Sequence, residues 1–281
     1  MSIARLARLG GLSLRPQELD ELARLAGGTL EEAGPDTEVL LISTGTPFAD
    51  AELDRLPALR HLAVCGTSYG RVDLDALARR GVTSTNVADY SDETTAEVIF
   101  MQLVAVARGF GAVRWRAASH ELYGKRLLIV GLGALGAAVA NLGLAYGMTV
   151  SHLSRSPKPV WEQKGVRRAE RPTAFAEADI VVLTGPTNTV VVQADDFAHL
   201  QDAILLQASL GRVFDADAFD DWITRGDNAA IFDMAAGEDA YAAYAHRPRV
   251  VFPREISGLS DESRQRLGER VIANVRRALG A

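Results

Sequence analysis

Apolar residues fall along this chain in two alternating patterns, short continuous runs and runs spaced three or four residues apart. Residues 38–43 and 59–64 are of the first kind and predict buried strands, whereas 16–26 and 73–80 carry apolar positions at helical spacing. This alternation predicts a parallel sheet with crossover helices. From residue 92 the pattern becomes strongly helical. Residues 93–109 hold no Gly or Pro before Gly109 and predict a long connecting helix, followed by a polar stretch as far as Tyr123. A strand at 126–130, a glycine-rich turn and a helix through Tyr146 come next. Further strands are predicted at 149–153, 180–183, 204–207, 229–232 and 249–252, and an amphipathic helix at 261–279. Six strands with helices between them make a doubly wound domain.

Composition narrows the function classes. The 281 residues are 48% hydrophobic and 23% charged, which supports two cores and excludes collagen-like, disordered and disulfide-scaffold classes. The longest apolar runs, such as 127–130 and 203–206, fall far short of the roughly 20 residues that span a bilayer, so no membrane partner is expected. Residues 1–14 contain two arginines but no sustained apolar core, and no secretory signal is predicted. The single cysteine, Cys65, has no internal disulfide partner, which points to a reducing, cytoplasmic setting. A formal charge of −6 without a long Lys/Arg block argues against nucleic acid. No metal site is expected. The expected partner is a small molecule.

The most specific chemistry lies at Gly131, Gly133 and Gly136, directly after a predicted strand and at the start of a helix. In a GxGxxG turn of this kind the first glycine permits the tight turn and the second lets backbone approach a pyrophosphate. The third allows close helix-to-strand packing, and free N–H groups at the helix start, including those of Ala134 and Leu135, bind the anion. The residue ending the next strand selects the cofactor, because an acid there binds a ribose 2′-hydroxyl and repels a 2′-phosphate. Here the segment offers Ser154, Arg155 and Lys158 instead, a hydroxyl and two cations suited to a phosphate dianion. NADPH is therefore expected in preference to NADH.

From about residue 38 onward the chain resembles the D-isomer-specific 2-hydroxyacid dehydrogenase family. The resemblance is carried by residues 53–73, 81–90, 95–97, 124–136, 146–150 and the last helix. It implies two Rossmann-like, doubly wound parallel-sheet domains of the α/β class with a cleft between them. The first, a flavodoxin-like substrate domain, would comprise 1–92 plus 259–281; the second, the dinucleotide domain, 93–258. It also implies a homodimer through the cofactor domain. Thr67, Ser68 and Tyr69, between Gly66 and Gly70, match the loop whose backbone N–H groups face the substrate carboxylate, and Ser209, Leu210 and Asp233 fall at further cofactor-lining positions.

The sequence departs from the family where the chemistry is done. Members use an Arg for the substrate carboxylate and carbonyl, a His as proton donor and a Glu that tunes the His, because hydride arriving at a ketone leaves an alkoxide to be protonated. The Arg usually stands in N-x-A-R-G-x-x-V-D; the matching residues 207–215 place Leu210 there. The His usually stands in P-H-I-x-G; residues 253–258 place Glu255 there, after Arg254. Glu238, five residues past Asp233, keeps the acid. None of the five histidines stands in an obvious donor position.

Glu238 and Glu255 would replace the lost pair if they faced each other, since repulsion and desolvation raise one pKa of such a pair. An ion pair with Arg254 is the alternative. Tyr90 and Tyr123 are further donor possibilities, and Trp115 with Arg114 and Arg116 is expected at a cleft mouth or in a basic surface turn. The sequence thus predicts an NAD(P)H-dependent oxidoreductase acting on a small carbonyl or imine other than a simple 2-keto acid. Two readings stay open beside it: a true 2-hydroxyacid dehydrogenase with replaced donors, and a dinucleotide-binding pseudoenzyme or non-redox catalyst reusing the cleft.

Overall fold

A computed structural model of the protein describes residues 5–280. Residues 1–4 and 281, the outermost parts of the first expected domain and of the segment read against a secretory signal, lie outside the described residues. The described chain divides into two compact units, residues 5–90 with 260–280, and residues 91–259. Each holds one wholly parallel sheet.

The first unit contains β1 (Leu6–Leu9), α1 (Pro16–Leu25), β2 (Val39–Ser43), α2 (Asp50–Leu53), β3 (His61–Cys65), α3 (Leu74–Arg79) and β4 (Thr83–Thr85), in the sheet order β1-β2-β3-β4. Arg8 accepts from Ala33 N–H and donates to Glu31 O, on the edge of β1 away from β2, so the bridge at Glu32 forms a rudimentary outer strand. In chain order the sheet then runs second, first, third, fourth, fifth, the flavodoxin-like order. The C-terminal helix Asp261–Leu279, α11 in chain order, packs with α1 on one face, over Leu22, Val39, Leu41, Leu267 and Val271. Ser260 and Ser263 cap it reciprocally, each hydroxyl accepting the other's N–H. Phe48, Leu53, Leu62 and Leu77 fill the opposite face.

The second unit contains α4 (Asp92–Arg108), β5 (Arg126–Val130), α5 (Ala134–Ala145), β6 (Thr149–Leu153), α6 (Pro159–Gln163), β7 (Arg167–Arg168), α7 (Thr173–Glu177) and β8 (Ile180–Leu183). It continues with α8 (Ala194–His199), β9 (Ile204–Gln207), α9 (Ala216–Trp222), β10 (Ala229–Phe232), α10 (Glu238–Tyr244) and β11 (Val250–Val251). Seven strands are present here where six were predicted; the seventh, β7, is a two-residue arginine edge with no apolar signal. Their order is β11-β10-β9-β8-β5-β6-β7. The central strands β8, β9 and β10 are buried throughout, as their near-continuous apolar runs require of a sheet covered on both faces. The long helix α4 packs against α5 on one face, and an aromatic cluster of Phe197, Phe214, Phe219, Trp222 and Phe232 fills the other.

Candidate cofactor and active site

In the second unit the winding reverses between β5 and β8, the place where open α/β sheets bind ligands beyond their strand ends. The glycine turn lies there. Gly131 leaves β5 with φ +104°, and a Cβ on it would stand 2.7 Å from the Thr184 carbonyl oxygen at the end of β8. Thr184 Oγ1 donates back to Gly131 O at 2.5 Å. Gly136 packs α5 directly onto the Gly131 carbonyl and lies 3.0 Å, measured from its Cβ position, from Thr184 Oγ1. Gly133 faces open space, with nothing within 4 Å of its Cβ position. No side chain caps α5, and the N–H groups of Gly133, Ala134, Leu135 and Gly136 bond to no described residue. These orphan donors sit at the positive end of a helix dipole, where an anion is favoured.

At the carboxyl end of β6, Ser154 Oγ accepts the Leu132 N–H at 3.0 Å and lies 3.1 Å from His152 Nδ1. The His152 ring is buried, and burial pushes its pKa below the ordinary imidazole value. Arg155 is exposed and Lys158 half-buried, and neither cationic head pairs with a described residue. Arg168 of β7, in register with His152, is a third such cation. Sequence reading missed it because a two-residue edge strand shows no periodicity. Open space over Gly133, orphan N–H donors and a cationic strand end together fit a dinucleotide.

The neighbouring strand ends are tied together by buried polar groups. Ser209 Oγ lies 3.1 Å from Leu183 O and 3.2 Å from Gly185 O, joining β9 to β8. Asp233 accepts the N–H groups of Ala235 at 2.6 Å and Ser257 at 2.8 Å, which fixes the segment after β11. Leu210 occupies the bend after Ser209, and its carbonyl accepts the Asn188 N–H. Arg212, two residues on, does not stand in for a guanidinium there: its Nε points to Phe214 O, and its charge acts on Tyr244 in the aromatic cluster.

Of the two readings of Glu238 the ion pair with Arg254 is the one found, and the placements of Tyr123 and Trp115 are corrected. Glu238 and Glu255 do not form a desolvated carboxylate pair. Glu238 accepts Arg254 Nη2 at 3.0 and 3.1 Å with side chains 67% and 65% exposed, so a guanidinium in solvent removes the repulsion such a pair needs. Glu255 is exposed, and its carboxylate bonds to no described residue. Tyr123 packs beside Gly147, at the amino ends of β5 and β6, opposite the glycine turn. Trp115 lines no opening; it is fully buried and donates to Asp202 O, again before a strand begins. Arg116 stacks on it, while Arg114 bonds Ala117 O.

In the first unit, the loop after β3 is built as a donor array. Gly66 and Gly70 bring it against Thr44, at the end of β2, so closely that a Cβ at either would overlap Thr44. Asn86 Nδ2 donates to Thr67 O at 2.6 Å, and Ser68 Oγ accepts the Gly70 N–H at 3.0 Å. The N–H groups of Thr67, Ser68 and Tyr69 bond to no described residue. Tyr90 packs against the α1/α11 layer, and its carbonyl accepts Arg266 Nε. His61 is held between Thr83 and Thr85 at 2.7 and 3.0 Å, a structural role.

Comparison with known proteins agrees with this geometry. The family model for the NAD binding domain of D-isomer specific 2-hydroxyacid dehydrogenases matches residues 99–253. A glyoxylate reductase of Korarchaeum cryptofilum is 28% identical over 282 residues, covering 87% of this chain and 83% of that protein. A glyoxylate reductase structure from Paecilomyes thermophila superposes with TM-score 0.84 at 20% identity, covering 99% and 96% of the two chains. An acyclic imino acid reductase in complex with NADPH and D-Arg gives 0.83 at 19%, covering 98% and 96%. With its glycine turn, its seven-stranded sheet and this match over more than half its length, the chain belongs to the D-isomer specific 2-hydroxyacid dehydrogenase family and is an NAD(P)-dependent oxidoreductase.

Proposed function

We propose that this protein is an NADPH-preferring reductase that delivers hydride to a small carbonyl or imine other than a simple 2-keto acid, the imine being the better fit. The carrying observation is that Leu210 and Glu255 stand where the family resemblance puts its Arg and His, while the two neighbouring arginines are engaged elsewhere. Arg212 is turned toward the aromatic cluster and Arg254 is held by Glu238.

The N–H groups of residues 133–136 would hold the pyrophosphate, and Ser154, Arg155 and Lys158 the 2′-phosphate. Bound there, the dinucleotide supplies a hydride. A ketone accepting hydride becomes an alkoxide and needs a positioned acid, whose loss costs about 10²–10⁴ in rate. A protonated imine already carries its proton, and hydride addition yields a neutral amine directly. The free N–H groups of Thr67, Ser68 and Tyr69 would serve a substrate carboxylate without a guanidinium. One relative of this fold is an imino acid reductase seen with NADPH, so the scaffold accommodates such chemistry.

A homodimer through the second unit belongs to the same proposal, supported by exposed Met101, Phe110, Tyr123 and Tyr146 on and near α4 and α5. So does a cytoplasmic setting, with Cys65 a free buried thiol and no described helix long and apolar enough to cross a membrane.

The test is fluorescence titration with NADPH and NADH, followed by cofactor oxidation on a panel of imines, glyoxylate, hydroxypyruvate and pyruvate. Tighter NADPH binding and faster imine turnover are expected. Ordinary turnover of the keto acids would favour a 2-hydroxyacid dehydrogenase with replaced donors. Failure to bind either nucleotide at sub-millimolar concentration would overturn the proposal.

A further inference from the structure

We infer that His152 is a positioning residue for the 2′-phosphate end of the dinucleotide site: its imidazole holds Ser154 Oγ as a double acceptor, leaving only the hydroxyl proton to face a ligand. The inference rests on the cofactor reading above and explains how that end of the site distinguishes the two nucleotides.

Leu132 N–H donates to Ser154 Oγ at 3.0 Å, and an N–H has no other role, so one lone pair of the hydroxyl is committed. The second contact, His152 Nδ1 at 3.1 Å, is ambiguous until the tautomer is known. The ring is 0% exposed and its Nε2 has no partner. Burial disfavours the charged ring, whose second N–H would be stranded on Nε2. The charged groups acting on it are Lys158 and Arg168, which favour the neutral state, and Glu162, which opposes it. A neutral ring carries one N–H. On Nε2 that donor would be stranded in the core, and orphaned buried N–H groups are rare in native proteins. On Nδ1 it is satisfied by Ser154, and only a lone pair goes unused.

With the Nδ1–H tautomer, both lone pairs of Ser154 are taken, and its O–H must donate outward. Arg155 and Lys158 are donors as well. The side chains of Ser154, Arg155 and Lys158 then offer no acceptor, and the Glu162 carboxylate takes the Lys158 backbone N–H at 3.3 Å. A phosphate, which only accepts, is matched by every group; a ribose 2′-hydroxyl loses the acceptor its own proton needs. Selectivity here comes from the missing acceptor as much as from the cations. Without the imidazole, Ser154 would turn a lone pair outward and serve a hydroxyl equally well.

Dissociation constants for NADPH and NADH measured on the wild type, His152→Leu and His152→Asn test this, together with the imidazole 15N–1H spectrum of His152. The leucine variant removes the donor and the stranded nitrogen while keeping the volume apolar. Its NADPH:NADH affinity ratio is expected to fall about tenfold, the scale of one hydrogen bond within a phosphate site. In His152→Asn, Nδ2 replaces Nδ1 and should hold the ratio within about threefold of wild type. The spectrum should show a protonated Nδ1 and a bare Nε2. An unchanged ratio in a folded leucine variant, or a proton on Nε2, overturns the inference. If that variant does not fold, loss of the ratio in His152→Asn overturns it equally. A wild type that prefers NADH overturns the cofactor reading and this one together, whereas NADPH preference retained in His152→Leu overturns this one alone.

Discussion

Replacing Gly133 and Gly136 in turn by alanine separates the binding role of the glycine turn from its packing role. A methyl at 136 would overlap the Gly131 carbonyl oxygen and come within 3.0 Å of Thr184 Oγ1. Neither gives way easily, since the first is backbone and the second is hydrogen-bonded to that same carbonyl. The helix must lift from the strand, an overpacking cost of about 1–3 kcal/mol. In a domain of this size that lowers the melting temperature by roughly 2–4 °C for each kcal/mol. A methyl at 133 meets nothing within 4 Å, and φ −90°, ψ −156° is open to any residue. Its fold cost is that of alanine at a helix cap, up to about 1 kcal/mol. It fills the space a pyrophosphate must enter, so NADPH affinity should drop at least about tenfold, roughly 1.4 kcal/mol. Thermal melts paired with fluorescence titration read both effects. If Gly133→Ala binds NADPH like wild type, no pyrophosphate lies over residue 133 and the assignment of the turn is wrong.

Arg155→Ala should weaken NADPH about tenfold or more and leave NADH within about twofold, with the difference shrinking as salt rises, all checked by titration at two ionic strengths. Stability should fall on both sides of neutrality. His61 and His152 have pKa values lowered by burial, so below the ordinary 6.5 the unfolded chain takes protons the folded one refuses, and stability declines as pH falls. Burial pushes the Cys65 thiol from 9.0 up to about 12, so the unfolded thiol ionises first and stability declines as pH rises through that window. Melting temperatures from pH 5 to 10 test both slopes, and a flat profile would contradict them. The double variant Leu210→Arg with Glu255→His should fold, and it should reduce glyoxylate faster than wild type by at least about tenfold in a coupled absorbance assay.

Central strands were more legible than edge strands for a physical reason. Strands such as Ile180–Leu183 and Ala229–Phe232 are buried on both faces, so burial writes itself as an unbroken apolar run. β4 is an exposed to half-buried Thr-Ser-Thr edge whose threonines hold His61, and β7 is two arginines; neither leaves a hydrophobic trace. The glycine turn was readable because each glycine answers a steric demand local to its own loop. Sequence spacing left both the carboxylate pair and the Arg254 ion pair open because it says nothing of exposure, and exposure decides which of them governs Glu238.

The departures from the family pattern fall where no described hydrogen bond uses the side chain. Ser209 Oγ shares its one proton between Leu183 O at the end of β8 and Gly185 O just past it, and Asp233 holds two N–H groups of separate segments, so either change would strand buried polar groups at a cost of about 1–3 kcal/mol each. Leu210 contributes a backbone carbonyl to Asn188, which any residue supplies, and the Glu255 carboxylate bonds to no described residue. An Arg and a His at these two points would bring chemistry without bringing stability. On the proposed reading the glycine turn is therefore unaltered, and the change falls on proton delivery and carboxylate recognition. On that reading the hydride source is kept and the substrate is one that arrives already protonated, as an imine does.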